Sequence, residues 1–432
     1  MLTRSDHELA LVEKARQVMP AGGLGNTSSD LIIRSGKGGR VWDESGNEYI
    51  DYLIGSGPML AGHAHPRVNE AVRNQVELGS TFFANNRFAI ELAEAIVDAV
   101  PCAEQVRFVS SGTEADAYAM RLARGHRGRD KILKFEGAYH GMSDSGLQSL
   151  APKRLTNFPR PVADSAGIPA GVGDEILVAP YNDLDAVANL IAEHGDEIAG
   201  VIVEPVQRII PPVKGFLEGL RELTAKHDIV LIFDEVVTGF RMAYGGAQEF
   251  YGITPDLCTL GKACGGGYPL AAIAGREEVM AHFDASRVVQ EQFLFQVGTL
   301  SGNPIAAVAG LATLEVLREP GTYERLNATG QRLMEGFGER LREHGFTATV
   351  LGVPACFEAV FAPGPIVDYR GTLRGDASLG RRLNELLLER GILKGESKYY
   401  LSIAHDDEDV RQTFDAWSDA LGVLAAERAR QS

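Results

Sequence analysis

Lys262 and Asp234 are the two side chains whose types and settings suit covalent chemistry on a carbonyl. Asp234 ends an unbroken apolar run over 229–233, and Glu235 follows it. Such a run reads as a strand buried on both faces of a parallel sheet, and the carboxyl ends of those strands are where open α/β sheets place their ligand crevice. A second apolar run, 257–260, leads into Gly261-Lys262 and the cluster Gly265-Gly266-Gly267, which brings an amine to the same sheet edge beside flexible backbone.

An amine beside a buried carboxylate suits pyridoxal phosphate (PLP), whose aldehyde condenses with a lysine and whose pyridine nitrogen needs an acidic partner to stay protonated. Gly261-Lys262 lacks the G-x-x-x-x-G-K-[ST] order of a P-loop, and Ala263 follows the lysine, so nucleotide binding is not supported. A loop lysine is ordinarily just solvated. What sets Lys262 apart is its company.

Ser110-Ser111-Gly112-Thr113-Glu114 lies between an apolar run and a helical pattern, so Ser111, Gly112 and Thr113 can hold a phosphate at a helix start. An ordinary cap, with Glu114 in the first turn, explains the same residues. Lys134-Phe135-Glu136-Gly137-Ala138-Tyr139-His140-Gly141 puts Tyr139 in a loop at the same edge, where its face suits a planar group or simple packing. His140 suits loop orientation and proton chemistry equally. Val203-Glu204-Pro205 ends another apolar run, so Glu204 stands beside Asp234 and suits bonding to loops rather than to substrate. Gly298-Thr299-Leu300-Ser301-Gly302-Asn303-Pro304 offers a second anion cradle around Thr299.

The elements that must carry these residues follow from periodicity. Helical patterns near 66–78, 86–100, 114–126, 183–194 and 216–227 alternate with short apolar runs at 105–109, 131–135, 175–178 and 198–203, the signature of a mainly parallel sheet wrapped by helices. Before them come a helix over 8–19, stopped by Pro20, and a hairpin, 39–43 and 48–52, turning at Gly46-Asn47. Residues 149–174 are rich in Pro, Gly and Ala without period and read as a mobile site loop. After Pro304 come helices over 305–318, 321–344, 377–391 and 407–427 with strands near 347–361 and 399–404. The expected division is 1–65 as an N-terminal segment with part of a small domain, 66–304 as the large PLP-binding domain and 305–432 as a small α+β domain.

With 432 residues, 45% of them hydrophobic, the chain can bury more than one core. Its 42 Lys and Arg against 58 Asp and Glu give a formal charge of −16, which repels nucleic acid and anionic membrane surfaces. Cys102, Cys258, Cys264 and Cys356 are scattered without metal-ligand spacing, so no metal is expected. The first residues lack an apolar h-region and no run approaches a membrane span, which makes a cytoplasmic protein the expectation.

Together these motifs, with Phe233-Asp234-Glu235-Val236-Val237-Thr238-Gly239-Phe240-Arg241, resemble the class III aminotransferases of PLP fold type I, the aspartate-aminotransferase-like fold, in order and spacing over nearly the whole chain. Within that class the sequence is most similar to the glutamate-1-semialdehyde 2,1-aminomutases, through Gly128-Arg129-Asp130-Lys131-Ile132 and Thr299-Leu300-Ser301-Gly302-Asn303-Pro304. The resemblance implies that Lys262 forms the aldimine and shuttles the substrate proton, that Asp234 pairs with the pyridine nitrogen, and that Tyr139 and Val237 pack on the two ring faces. It implies that Ser111, Gly112 and Thr113 hold the phosphate with Thr299 of a partner subunit, in a homodimer with shared active sites.

Where the aminomutases carry Asn-Ser-Pro-Val-Arg, this chain has Gly25-Asn26-Thr27-Ser28-Ser29-Asp30, without the arginine expected for the substrate carboxylate. Ser56 replaces a tryptophan, Gln207-Arg208-Ile209-Ile210 replaces Gly-Asn-Met-Asn, and Gly395-Glu396-Ser397-Lys398 replaces a longer segment. Ile209 and the lack of an arginine over 391–405 also separate it from the ornithine and aminobutyrate branches. Arg208, Lys394 and Lys398 are the cations left to meet a carboxylate. The expected function is a PLP-dependent aminotransferase acting on small amines or amino acids and keto or aldehyde acceptors, with the intramolecular aminomutase as the alternative.

Overall fold

The computed structural model describes residues 3–26 and 30–431. Thr27, Ser28 and Ser29, part of the stretch where the aminomutase arginine is missing, lie outside the described residues. Contacts group the chain into two units, the larger made of Arg67–Tyr323 and Ile366–Thr372, the smaller of Met1–Pro66, Glu324–Pro365 and Leu373–Ser432.

The larger unit is built on a seven-stranded sheet in the order Gln105–Val109, Ala271–Gly275, Leu257–Leu260, Val230–Glu235, Ile198–Val203, Lys131–Phe135, Ile176–Ala179. The five strands from Leu257–Leu260 to Ile176–Ala179 run parallel, whereas Ala271–Gly275 is antiparallel to both its neighbours. Every residue of Ile198–Val203 and Val230–Glu235 is buried, which is why these strands are continuous in apolar character rather than alternating. The helix Gly112–Arg127 presses Ala115, Ala119, Met120, Leu122 and Ala123 into the same core. A Cβ on Gly200 would lie 3.0 Å from that of Ala123, so the glycine lets helix and strand approach.

The expected boundary at 304 is displaced to 323. The helix Pro304–Leu317 is apolar around nearly its whole girth and so needs a core on all sides. It packs on the helix Arg87–Ala99 and on the turn Lys262–Gly265. A Cβ at Gly310 would run into the Cys264 carbonyl, and one at Gly266 into Thr313. This helix therefore belongs to the larger unit and fixes the turn that carries Lys262.

The smaller unit holds the expected hairpin, Arg40–Asp43 with Glu48–Asp51, joined by Ile33–Lys37 and, in parallel, by Ile392–Leu393. Its turn is held by Asp43 Oδ1, which accepts from Ser45 N at 3.0 Å and Asn47 N at 2.8 Å. A three-stranded antiparallel sheet, Thr349–Val353, Cys356–Val360 and Tyr399–Tyr400, lies in the same unit. Phe337 stacks on Trp417 at 4.4 Å there, and the indole N–H donates to Tyr399 Oη at 2.9 Å.

Residues 149–169 form an irregular loop that runs into the short helical turn Ala170–Glu175 and is tied down at several points within the larger unit. Ser149 N donates to Val162 O at 2.6 Å, and Arg370 reaches Thr156 O at 2.7 Å while its guanidinium lies 4.2 Å over the Phe158 ring. Among the described residues no helix is long and apolar enough to cross a membrane.

Candidate active site

The sheet register brings the two central residues together. Asp234 pairs with Thr259 on the next parallel strand, and three residues beyond Thr259 the chain reaches Lys262. Lys262 is half-buried and holds a left-handed φ of +49°, a conformation that a non-glycine residue keeps only when its surroundings impose it. The neighbouring carboxylate of Glu235 points away from this cluster: it accepts from Thr238 Oγ1 at 2.9 Å and from Ala247 N at 2.6 Å, and so anchors the following segment. Strand alternation separates the two acids into different tasks.

Asp234 is 4% exposed and ties three segments together. Its Oδ2 lies 2.8 Å from His140 Nδ1, and its Oδ1 accepts from Val236 N at 3.1 Å. Thr259 Oγ1 donates to Asp116 Oδ1 at 2.6 Å and lies 3.4 Å from Asp234 Oδ1. Asp116, a residue of the Gly112–Arg127 helix without a sequence motif to mark it, is thereby the second acid of the cluster. Burial, and then the charge of Asp234, push its carboxyl well above the usual carboxylate range, against the Thr259 hydrogen bond and the charge of Lys262. Ligand atoms of Asp116, His140 and Asp234 lie within 4.8 Å of one another, close enough to hold a cation.

His140 arrives on the loop after Lys131–Phe135. Tyr139 N, next to it, donates to Glu204 Oε2 at 2.9 Å, so Glu204 holds the loop. The loop is seated on the helix start: Met142 N donates to Thr113 Oγ1 at 3.1 Å, and Gly141, at φ +74°, has no room for a Cβ against Thr113. Tyr139 is half-buried, and burial raises its phenol above the ordinary range while the Arg208 guanidinium, 5.3 Å from the ring centre, opposes this.

At the helix start Ser111 acts as a cap. Its Oγ accepts from Glu114 N at 3.3 Å and donates to Glu114 Oε2 at 2.9 Å, and Glu114 reaches back to Ser110 N at 3.0 Å. The first-turn N–H groups of such a helix have no intrahelical partner, so Gly112 and Thr113 still present donors. A Cβ on Gly112 would sit 3.0 Å from Val236 Cγ1, and one on Gly261 3.2 Å from the same atom. Val236, rather than the expected Val237, is thus the valine between the helix start and the lysine turn. Val237 instead offers its carbonyl to Arg241 Nε at 3.1 Å.

Thr299 is exposed on the wall of a cavity of about 350 Å³ whose lining includes Phe82, Phe83, Asn86 and Phe108.

A family model described as aminotransferase class-III matches residues 24–359. The chain is 41% identical over 413 residues to a glutamate-1-semialdehyde 2,1-aminomutase of Natranaerobius thermophilus, covering 94% of each. It resembles the crystal structure of an omega-transaminase from Sphaerobacter thermophilus with a TM-score of 0.90 and 36% identity, over 96% of this chain and 97% of that one. A glutamate-1-semialdehyde aminomutase from Pseudomonas aeruginosa PAO1, solved in complex with PMP, matches with a TM-score of 0.87 and 26% identity, over 97% and 94% of the two chains.

The residues present fit a pyridoxal group. A lysine, a buried carboxylate held in place by His140 and Val236 N, an aromatic loop residue and a helix start without a Cβ at Gly112 supply donors and acceptors for its aldehyde, pyridine nitrogen, ring and phosphate. The chain therefore belongs to the class III aminotransferases, PLP-dependent enzymes of fold type I.

Proposed function

We propose that this protein moves an amino group within a small amino substrate, as a glutamate-1-semialdehyde 2,1-aminomutase. That it is an amino-transfer enzyme rests most on one observation: Asp234, fixed by His140, lies one strand from the turn that carries Lys262. The aminomutase relatives favour the intramolecular outcome over the intermolecular one expected first. Bound PLP supplies an aldehyde that captures amines and a ring that takes up carbanion electrons. Lys262 Nζ removes the proton from the amino-bearing carbon of the substrate and returns one at the carbon that completes the transfer. Asp234 offers its carboxylate to the pyridine nitrogen, and Tyr139 and Val236 take the ring faces. Gly112 and Thr113 bind the phosphate, with Ser111 shaping the turn.

Transfer to a separate acceptor is the second reading. The likeness to the omega-transaminase and the missing N-terminal arginine favour it. Incubating the PLP-loaded protein with glutamate-1-semialdehyde alone separates the two. Formation of 5-aminolevulinate without added donor or acceptor supports the aminomutase; no product, with amino transfer restored by a separate keto acid, supports the aminotransferase.

We further infer a homodimer in which Thr299 reaches the partner's phosphate site. Phe82, Phe83, Phe295, Val297 and Leu300 are exposed near Thr299, an apolar surface suited to a second copy. Light scattering on the eluting protein would give twice the chain mass; a monomer that retains full activity would exclude shared sites.

A further inference from the structure

We propose that Arg208 is the specificity-determining residue that selects carboxylate-bearing substrates, meeting the substrate carboxylate beside Tyr139. This rests on the amino-transfer reading and names the substrate class for the same site.

The turn that carries Arg208 is built rather than incidental. Gln207 and Ile210 exchange both backbone hydrogen bonds, Gln207 N to Ile210 O at 2.9 Å and Ile210 N to Gln207 O at 2.8 Å, which leaves Arg208 and Ile209 at a two-residue apex. Gln207, Ile209 and Ile210 are all buried, and Gln207 Nε2 donates to Glu136 O at 2.8 Å. Arg208 alone of the four is half-exposed, and it holds a φ of +61°. A side chain larger than glycine is strained in that region, so the position displays an arginine at the expense of backbone strain. The turn starts three residues after Glu204, which fixes Tyr139 N, and the guanidinium lies 5.3 Å from the centre of the Tyr139 ring.

The chemistry of the surroundings calls for such a cation. Glu204 and Asp234 are both buried in this unit, so an anionic substrate approaching them meets like charge. Of the three cations the sequence leaves for a carboxylate, Lys394 and Lys398 belong to the smaller unit. Arg208 is the one in the unit that carries Lys262 and Asp234. A guanidinium can lie over an aromatic face and still present its planar fork to a carboxylate, which an ammonium cannot do as well.

The test uses the PLP-loaded protein with Arg208→Ala and Arg208→Lys, both of which keep a Cβ in the strained turn. Two amines are compared in single-turnover absorbance changes without acceptor. One is 4-aminobutyrate, which keeps the amine-to-carboxylate spacing of glutamate-1-semialdehyde, and the other is butylamine, which lacks the carboxylate. The expected result is a rise of about 10- to 100-fold in the ratio of half-saturating 4-aminobutyrate to half-saturating butylamine in Arg208→Ala, with a smaller rise in Arg208→Lys. An unchanged ratio, with both amines impaired alike, overturns the proposal and leaves Arg208 as a support for Tyr139. Calorimetric titration with glutarate, which carries no amine, reads the same site without turnover. Weaker glutarate binding in Arg208→Ala is expected, and equal affinity overturns the proposal even if neither amine reacts with the wild type, which would defeat the amino-transfer reading instead.

Discussion

His140 Nδ1 lies 2.8 Å from Asp234 Oδ2, with both side chains buried, although the two residues are 94 positions apart in the chain. One ends a sheet strand and the other sits in the loop after a strand two places away in the sheet. A hydrogen bond to a buried carboxylate is worth about 1.5–3 kcal/mol and fixes which way its free lone pairs face. His140→Ala is expected to lower unfolding stability by about that amount and to weaken PLP binding, read by urea titration and by cofactor titration. Unchanged PLP affinity would mean that Asp234 needs no help in holding the cofactor.

Asp116 shares Thr259 with Asp234, and burial and the charge of Asp234 raise its carboxyl well above the ordinary value. In the window above that ordinary value the folded state keeps a proton that the unfolded state has lost, so this residue's contribution makes stability fall as pH rises. Asp116→Asn, which cannot ionise, should flatten that fall. Asp116→Ala leaves Thr259 with only its 3.4 Å bond to Asp234 and a cavity behind, with an expected cost of about 2–3 kcal/mol. Equal losses in the two variants would show that Asp116 is charged in the folded protein.

Lys134 is fully buried and donates to Gly146 O at 2.8 Å and to Gln148 O at 2.5 Å. Burial pushes its ammonium down to about 7, against the charge of Glu204. Between that value and the ordinary lysine range the unfolded chain binds a proton that the folded chain does not, so the contribution of Lys134 makes stability rise with pH, by at most about 1.4 kcal/mol per pH unit. Lys134→Met should remove that rise and cost about 1–3 kcal/mol at pH 9 through the two carbonyls it abandons. Parallel stability profiles for the two proteins between pH 7 and 9 would contradict the assignment.

Much of the larger unit was legible because buried parallel strands announce themselves as unbroken apolar runs. The runs at 198–203 and 229–233 correspond to Ile198–Val203 and Val230–Glu235. Ala271–Gly275 escaped notice, being mostly alanine, a residue with little strand preference. The helix Pro304–Leu317 was readable as apolar, but girth-wide apolarity does not say which core it fills. In the site, Lys262 and Asp234 were visible as charges at the ends of apolar runs. Asp116 looked like any polar helix residue, since its partner Thr259 is 143 residues away. Arg208 stood out only as a cation of unknown direction, because the turn that aims it depends on Gln207 reaching Glu136.

The most direct test of the account is the visible absorbance of the purified, PLP-loaded protein, recorded for wild type and Lys262→Ala before and after addition of glutamate-1-semialdehyde. The wild type is expected to show a cofactor band that shifts when the substrate is added, and Lys262→Ala to bind PLP with a different band and give no turnover. A Lys262→Ala spectrum and turnover matching the wild type would contradict the assignment of Lys262 as the residue on which the chemistry depends.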